Sequence, residues 1–110
     1  MTDIEVPIAT SVSEPGVVMS MPVEIDVATA PEIRTQGLTA LESFDLGPLF
    51  LDMAPVKFID AAGLGALVDL DPFSRGCHRE IVLLNVSPHV RRVLAKGGLA
   101  GAFRETNRLP

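Results

Sequence analysis

Apolar and polar residues along this chain switch between a period of two and a period near 3.6, and the switches mark its elements. Ile4, Val6 and Ile8 alternate with Glu5 and Pro7, the pattern of a half-buried strand at a sheet edge, where proline is tolerated. Ser13-Glu14-Pro15-Gly16 predicts a turn with Pro and Gly at its central positions, and Val17 to Val23 returns as a second strand. From Thr29-Ala30-Pro31-Glu32 the period lengthens. Thr29 and Glu32 have the spacing of a capping box, Pro31 falls in the first helical turn, and Ala30, Ile33, Gly37, Leu41 and Phe44 form one apolar stripe. Gly37 on that stripe predicts close packing on a sheet, and Asp45-Leu46-Gly47-Pro48 ends the helix.

Leu49 to Met53 is short and nearly all apolar, as in a parallel strand covered on both faces. A second helix starts after Asp60, with Leu64, Leu67 and Val68 on one side; Pro72 should kink it or end it early, and Gly76 closes the segment. Glu80 to Asn85 is another buried strand. Ser87-Pro88 opens a third helix as N-cap and first helical residue, Val90, Val93 and Leu94 face inward, and Gly97-Gly98 terminates it. Ala100 to Glu105 completes the order β-β-α-β-α-β-α-β, with a frayed tail from Thr106 to Pro110. Alternating strands and helices predict an α/β fold over residues 1–110, one domain with a mainly parallel sheet, an N-terminal antiparallel hairpin and about three helices.

Composition narrows the function. The chain has 110 residues, 47% of them hydrophobic, with no Trp or Tyr, so its core is aliphatic with a few Phe. A formal charge of −5, with no basic run longer than Arg91-Arg92, argues against nucleic acid as a partner. No stretch reaches the roughly 20 apolar residues that cross a bilayer. The acidic start Met1-Thr2-Asp3-Ile4-Glu5 is unlike a secretory signal, and a lone Cys77 suits a reducing compartment, so a cytoplasmic protein is expected.

Three segments together resemble the STAS domain of bacterial anti-sigma factor antagonists. Val23-Glu24-Ile25-Asp26-Val27-Ala28-Thr29-Ala30 is similar to that family's Gly-Glu-x-Asp-x-x-Thr-Ala, with Val23 in place of the Gly. Leu51 through Gly65 is similar to its strand-loop-helix signature, which usually ends Phe-x-Asp-Ser-Ser/Thr-Gly-Leu-Gly. Val86-Ser87-Pro88-His89-Val90-Arg91-Arg92-Val93-Leu94 resembles the entry to the third helix, and Gly98-Leu99 the turn after it. The resemblance implies a STAS fold and a protein-binding module. Such an antagonist binds a switch-type serine kinase, the anti-sigma factor, and frees its sigma factor for transcription; phosphorylation of the first Ser after the Asp ends the interaction. A phosphoserine brings about −1.5 to −2 charges to the docking surface. Here that position is Ala61 and the next is Ala62, so no hydroxyl is available at either. The resemblance is compatible with a homodimer.

Asp26, Asp60, Ala61, Ala62 and Gly63 are therefore the candidate partner-binding residues. Asp60 suits a helix cap, alone or with partner contact, and Asp26 is either a loop carboxylate or a docking group. Ala61, Ala62, Gly63 and Gly65 leave a helix start almost bare, which exposes backbone N–H groups to a partner. Adjacent Cys77 and His78 do not face each other and form no nucleophilic pair. No residue set supplies a nucleophile, a base and an orienting group, and no ligand spacing points to a metal or cofactor. Two alternatives remain: a STAS accessory subunit of a membrane lipid transporter, and a sensor binding a nucleotide at the start of the second helix.

Overall fold

A computed structural model of the chain describes residues 8–13, 16–43 and 47–109. Its main sheet contains β1 (Ala9–Ser13), β2 (Gly16–Ser20), β4 (Leu49–Asp52), β6 (Ile81–Leu84) and β7 (Arg104–Thr106), in the order β1-β2-β4-β6-β7. β1 and β2 are an antiparallel pair, registered from Ala9 opposite Ser20 to Ser13 opposite Gly16. The remaining neighbours are parallel, with Val17 beside Leu49, Leu49 beside Ile81 and Val82 beside Arg104. Two very short strands, β3 (Glu24–Ile25) and β5 (Phe58–Ile59), make a separate parallel pair.

Alternation along the strands sorts side chains onto two faces. Val17, Met19, Leu49, Leu51, Ile81 and Leu83 join a core with buried residues of α1 (Ala30–Ser43), α2 (Ala61–Gly76) and α3 (Pro88–Lys96). All three helices thus pack on one side. Phe50, Val82 and Leu84 point the other way and form a small cluster with Val18 and Leu109. The central strand β4 is therefore buried on both faces, as its nearly continuous apolar run requires.

Several boundaries shift from expectation. The predicted first strand falls mostly on residues outside those described, as do Glu14 and Pro15 of the turn and Phe44 of the α1 stripe. β2 stops at Ser20 because only one further ladder bond forms, from the Met21 N–H to the Asp52 carbonyl, before Pro22, which has no N–H to donate. β7 begins at Arg104 instead of Ala100, since the Ala102 N–H turns back to the Leu99 carbonyl. β3 and β5 are too short for periodicity to register.

Gly37 does make a close approach, but to α2 instead of the sheet: a Cβ there would stand 2.7 Å from both terminal methyls of Leu70. The capping box does not form. The Thr29 hydroxyl donates to the Glu24 carbonyl at 2.8 Å, and Glu32 accepts from Gln36 Nε2 one turn along the helix. The C-terminus of α1 is capped from a distance. Arg79, leading into β6, donates from Nη1 to the Ala40 and Leu41 carbonyls and from Nε to Gly47, satisfying carbonyls that lack intrahelical partners.

Pro72 neither ends α2 nor shortens it; the helix runs on to Gly76. Leu70 and Ser74, on either side of Pro72, are both buried, and Arg75 pairs with Asp71 one turn apart at 3.0 Å. Packing thus holds both turns although the missing N–H deprives the Val68 carbonyl of its helical donor. The buried stripe is Gly63, Ala66, Leu67, Leu70 and Ser74, which leaves Val68, expected on the inner side, 42% exposed. Pro72→Ala should raise the unfolding free energy by about 1–3 kcal/mol, restoring a helical bond at an exposed position. Urea unfolding followed by circular dichroism measures this; a lowered midpoint would show that proline's restriction of the unfolded chain outweighs the lost bond.

Candidate functional site

The β3–β5 pair is what gathers the candidate residues. Glu24 lies beside Phe58 and Ile25 beside Ile59, so Asp26 and Asp60 each follow directly on the last pair of the register. Further backbone bonds tie the strands: Lys57 and Phe58 donate to the Val23 carbonyl, and Asp60 donates to that of Ile25. Ile25 and Ile59 are buried, and a period of two then turns Glu24 and Phe58 outward.

Asp60 is the N-cap of α2. Its Oδ1 accepts from the Gly63 N–H at 3.0 Å and its carbonyl from Leu64 at 2.8 Å. Asp26 makes a comparable turn ahead of α1, where Oδ1 accepts from Ala28 at 3.0 Å and Thr29 at 3.1 Å. The Asp26 N–H donates to Thr29 Oγ1 at 2.9 Å, so carboxylate and hydroxyl hold each other's backbone. Both aspartates thus fix local structure and remain partly accessible.

The four small residues at the start of α2 prove unequal. Gly63 is buried, and a Cβ there would lie 2.6 Å from both the carbonyl carbon and Cγ2 of Ile25. Its N–H is taken by Asp60, so Gly63 serves the contact between α2 and β3 and offers no donor to a partner through that cap bond. Ala61 is exposed and Ala62 half-buried. At Gly65 an added Cβ would meet only Arg34 Nη2, at 4.0 Å, and packing does not demand glycine there.

Around this unit lie three large apolar residues that sequence reading did not single out: Val23 and Phe58, each 46% exposed, and Val27 at 74%. For Phe58 the signal was present in the alternation, since Ile59 facing inward requires Phe58 to face out; Val23 has the parity of the buried Ile25 and precedes β3, so alternation does not account for its exposure. Pro22, Val23, Glu24 and Thr29 line a shallow depression of about 240 Å³ beside them. The result is an apolar surface edged by Glu24, Asp26 and Asp60, with Lys57 as its cation. Among the described residues, no three of His, Cys, Asp and Glu converge as metal ligands, and no helix is long and apolar enough to cross a membrane.

Known proteins share this architecture. The STAS domain family model matches residues 3–108. The anti-sigma factor antagonist SpoIIAA in its unphosphorylated form superposes with a TM-score of 0.76 at 22% identity, covering 92% of this chain and 89% of that one. An anti-sigma factor antagonist from Mycobacterium paratuberculosis gives 0.77 at 23% identity, over 96% and 88% of the two chains. At such identities the likeness is one of fold. Sulfate anion transporter 1 from Mus musculus is 37% identical over 65 residues, which make up 59% of this chain and 9% of that protein. The chain thus matches less than a tenth of the transporter's length.

Gly63→Ala should cost about 1–3 kcal/mol, because the Ile25 backbone has to move aside. Gly65→Ala should be neutral or stabilising by up to about 1 kcal/mol, since the space is open and alanine favours helix. Chemical denaturation of the two variants in parallel makes the comparison; equal effects would mean that α2 does not rest on β3 in the way described.

Proposed function

The chain belongs to the STAS domain family, and from that premise we propose that it is an anti-sigma factor antagonist, binding a switch-type anti-sigma kinase and releasing the sigma factor that kinase holds. The observation that carries this reading is the β3–β5–α2 surface. Val23, Val27 and Phe58 offer exposed apolar area of the kind that marks a protein contact, and the neighbouring Glu24, Asp26 and Asp60 suit a partner with basic side chains. The aspartates are held by backbone bonds, so docking does not have to order them first.

Ala61, exposed in the first turn of α2, stands at the position of the family's phosphorylated Ser, and Ala62 follows it. Neither can form a phosphate ester, so this antagonist stays competent to bind when its kinase partner holds ATP. A second reading, a module attached to a membrane transporter, draws support from the 37% identity to the mouse sulfate anion transporter over 65 residues.

Titration of the chain with switch-type anti-sigma kinases tests the first reading. One of them should bind it and give up its sigma factor. Asp60→Asn, which keeps a capping oxygen but removes the charge, should weaken the complex about tenfold or more, equivalent to about 1.4 kcal/mol. With ATP present the mass of the chain should stay unchanged, whereas Ala61→Ser should gain one phosphoryl group. Absence of any complex, or unaltered affinity in Asp60→Asn, would overturn the proposal; association with a transporter's membrane domain would favour the second reading.

A further inference from the structure

The outer ridge of α3 carries charge that nothing else in the fold uses. Residues 81–110 hold five of the nine Lys and Arg residues but one of the fourteen Asp and Glu residues, Glu105. Within this basic stretch α3 contains His89, Arg91, Arg92 and Lys96 and no acid at all. Val90 and Leu94, both buried, define the helix's inner side. A helix advances about 100° per residue, so Arg92 comes out opposite them, with His89 and Lys96 on the same ridge at spacings of three and four. All three are exposed.

Five arginines of the chain are occupied elsewhere. Arg91 reaches Glu105 at 3.0 Å, Arg34 pairs with Asp69, Arg75 with Asp71 and Arg104 with Glu80, while Arg79 caps α1. Arg92 and Lys96 make no hydrogen bond or ion pair with any described residue. Two like charges one turn apart cost an isolated helix a few tenths of a kcal/mol, so this arrangement is not explained by stability. The ridge also ends near the candidate site: at Gly97, which follows Lys96, an added Cβ would stand 2.6 Å from Cδ1 of Leu64 in the first turn of α2.

We infer that the His89–Arg92–Lys96 ridge of α3 is a docking surface for an acidic protein segment. Charge complementarity selects the occupant. The chain as a whole carries a formal charge of −5, so a bilayer or a nucleic-acid duplex, broad and uniformly anionic, meets a net repulsion that a narrow segment confined to the ridge avoids. Lipid recognition usually draws on clusters of 4–8 Lys and Arg, more than this ridge supplies. A single acidic helix or extended segment is narrow enough to follow two turns, about 10 Å, and Arg92 can grip a carboxylate with two parallel bonds. The inference stands apart from the function proposed above, since it concerns a different set of side chains.

The test is a fluorescence anisotropy titration with a short labelled peptide carrying Glu at i, i+3 and i+7, run at low and at physiological salt. Phosphatidylserine vesicles and a DNA duplex serve as competing anionic probes. Saturable peptide binding is expected that weakens with salt, falls about tenfold or more in R92E/K96E, falls less in R92Q/K96Q, and changes less than about twofold in E24K. Far-UV circular dichroism checks that each variant keeps its fold. Peptide binding that is absent or insensitive to R92E/K96E overturns the inference. Ridge-dependent binding to vesicles or duplex as tight as to the peptide overturns it too.

Discussion

The approach of α2 to the backbone of β3 at Gly63 is the constraint on which the candidate site depends. A helix usually meets a strand through side chains, at a distance those side chains set; here the first turn rests on the Ile25 peptide itself. That closeness lets Asp60 donate its N–H to the Ile25 carbonyl while its carboxylate caps the helix. It also brings Asp26 alongside Asp60 and sets Val23, Val27 and Phe58 around them. A methyl group at position 63 would push apart the two segments that carry every candidate residue.

Much of this architecture was legible because strong local signals coincided with burial. Ser87-Pro88 at the head of α3 and the apolar runs of β4 and β6 did what their chemistry predicts. Tertiary partners overrode the signals that failed. Thr29 and Glu32 had the spacing of a capping box, but the Thr29 hydroxyl found the Glu24 carbonyl, a partner that exists only once β3 has turned into α1. Pro72 reads as a helix breaker in isolation, yet the buried Leu70 and Ser74 hold the helix across it. Of the small residues at the start of α2, sequence could not tell the one required by a neighbouring peptide from those facing open space.

Charge in this molecule is partitioned along the chain. The acidic segments build the β3–β5 edge, whereas the last helix and strand carry a basic surplus. Some of that surplus serves the fold: Arg91 spans from α3 to β7 through Glu105, and Arg104 joins β7 to Glu80 ahead of β6. These bridges are largely exposed and worth at most about 1 kcal/mol each, so they orient the edge of the sheet more than they stabilise it. What stays unpaired is free to recognise something else.

The strand order β1-β2-β4-β6-β7 has a consequence for how the protein is made. Each strand of the main sheet lies beside the one that precedes it in that sheet, so no later segment has to be inserted between two earlier ones. A nascent chain leaving the ribosome can begin with the antiparallel β1–β2 pair, which is local in sequence, and add each following strand as it emerges. Before β7 is added, β6 presents a parallel edge, and once β7 has paired with it that edge passes to β7.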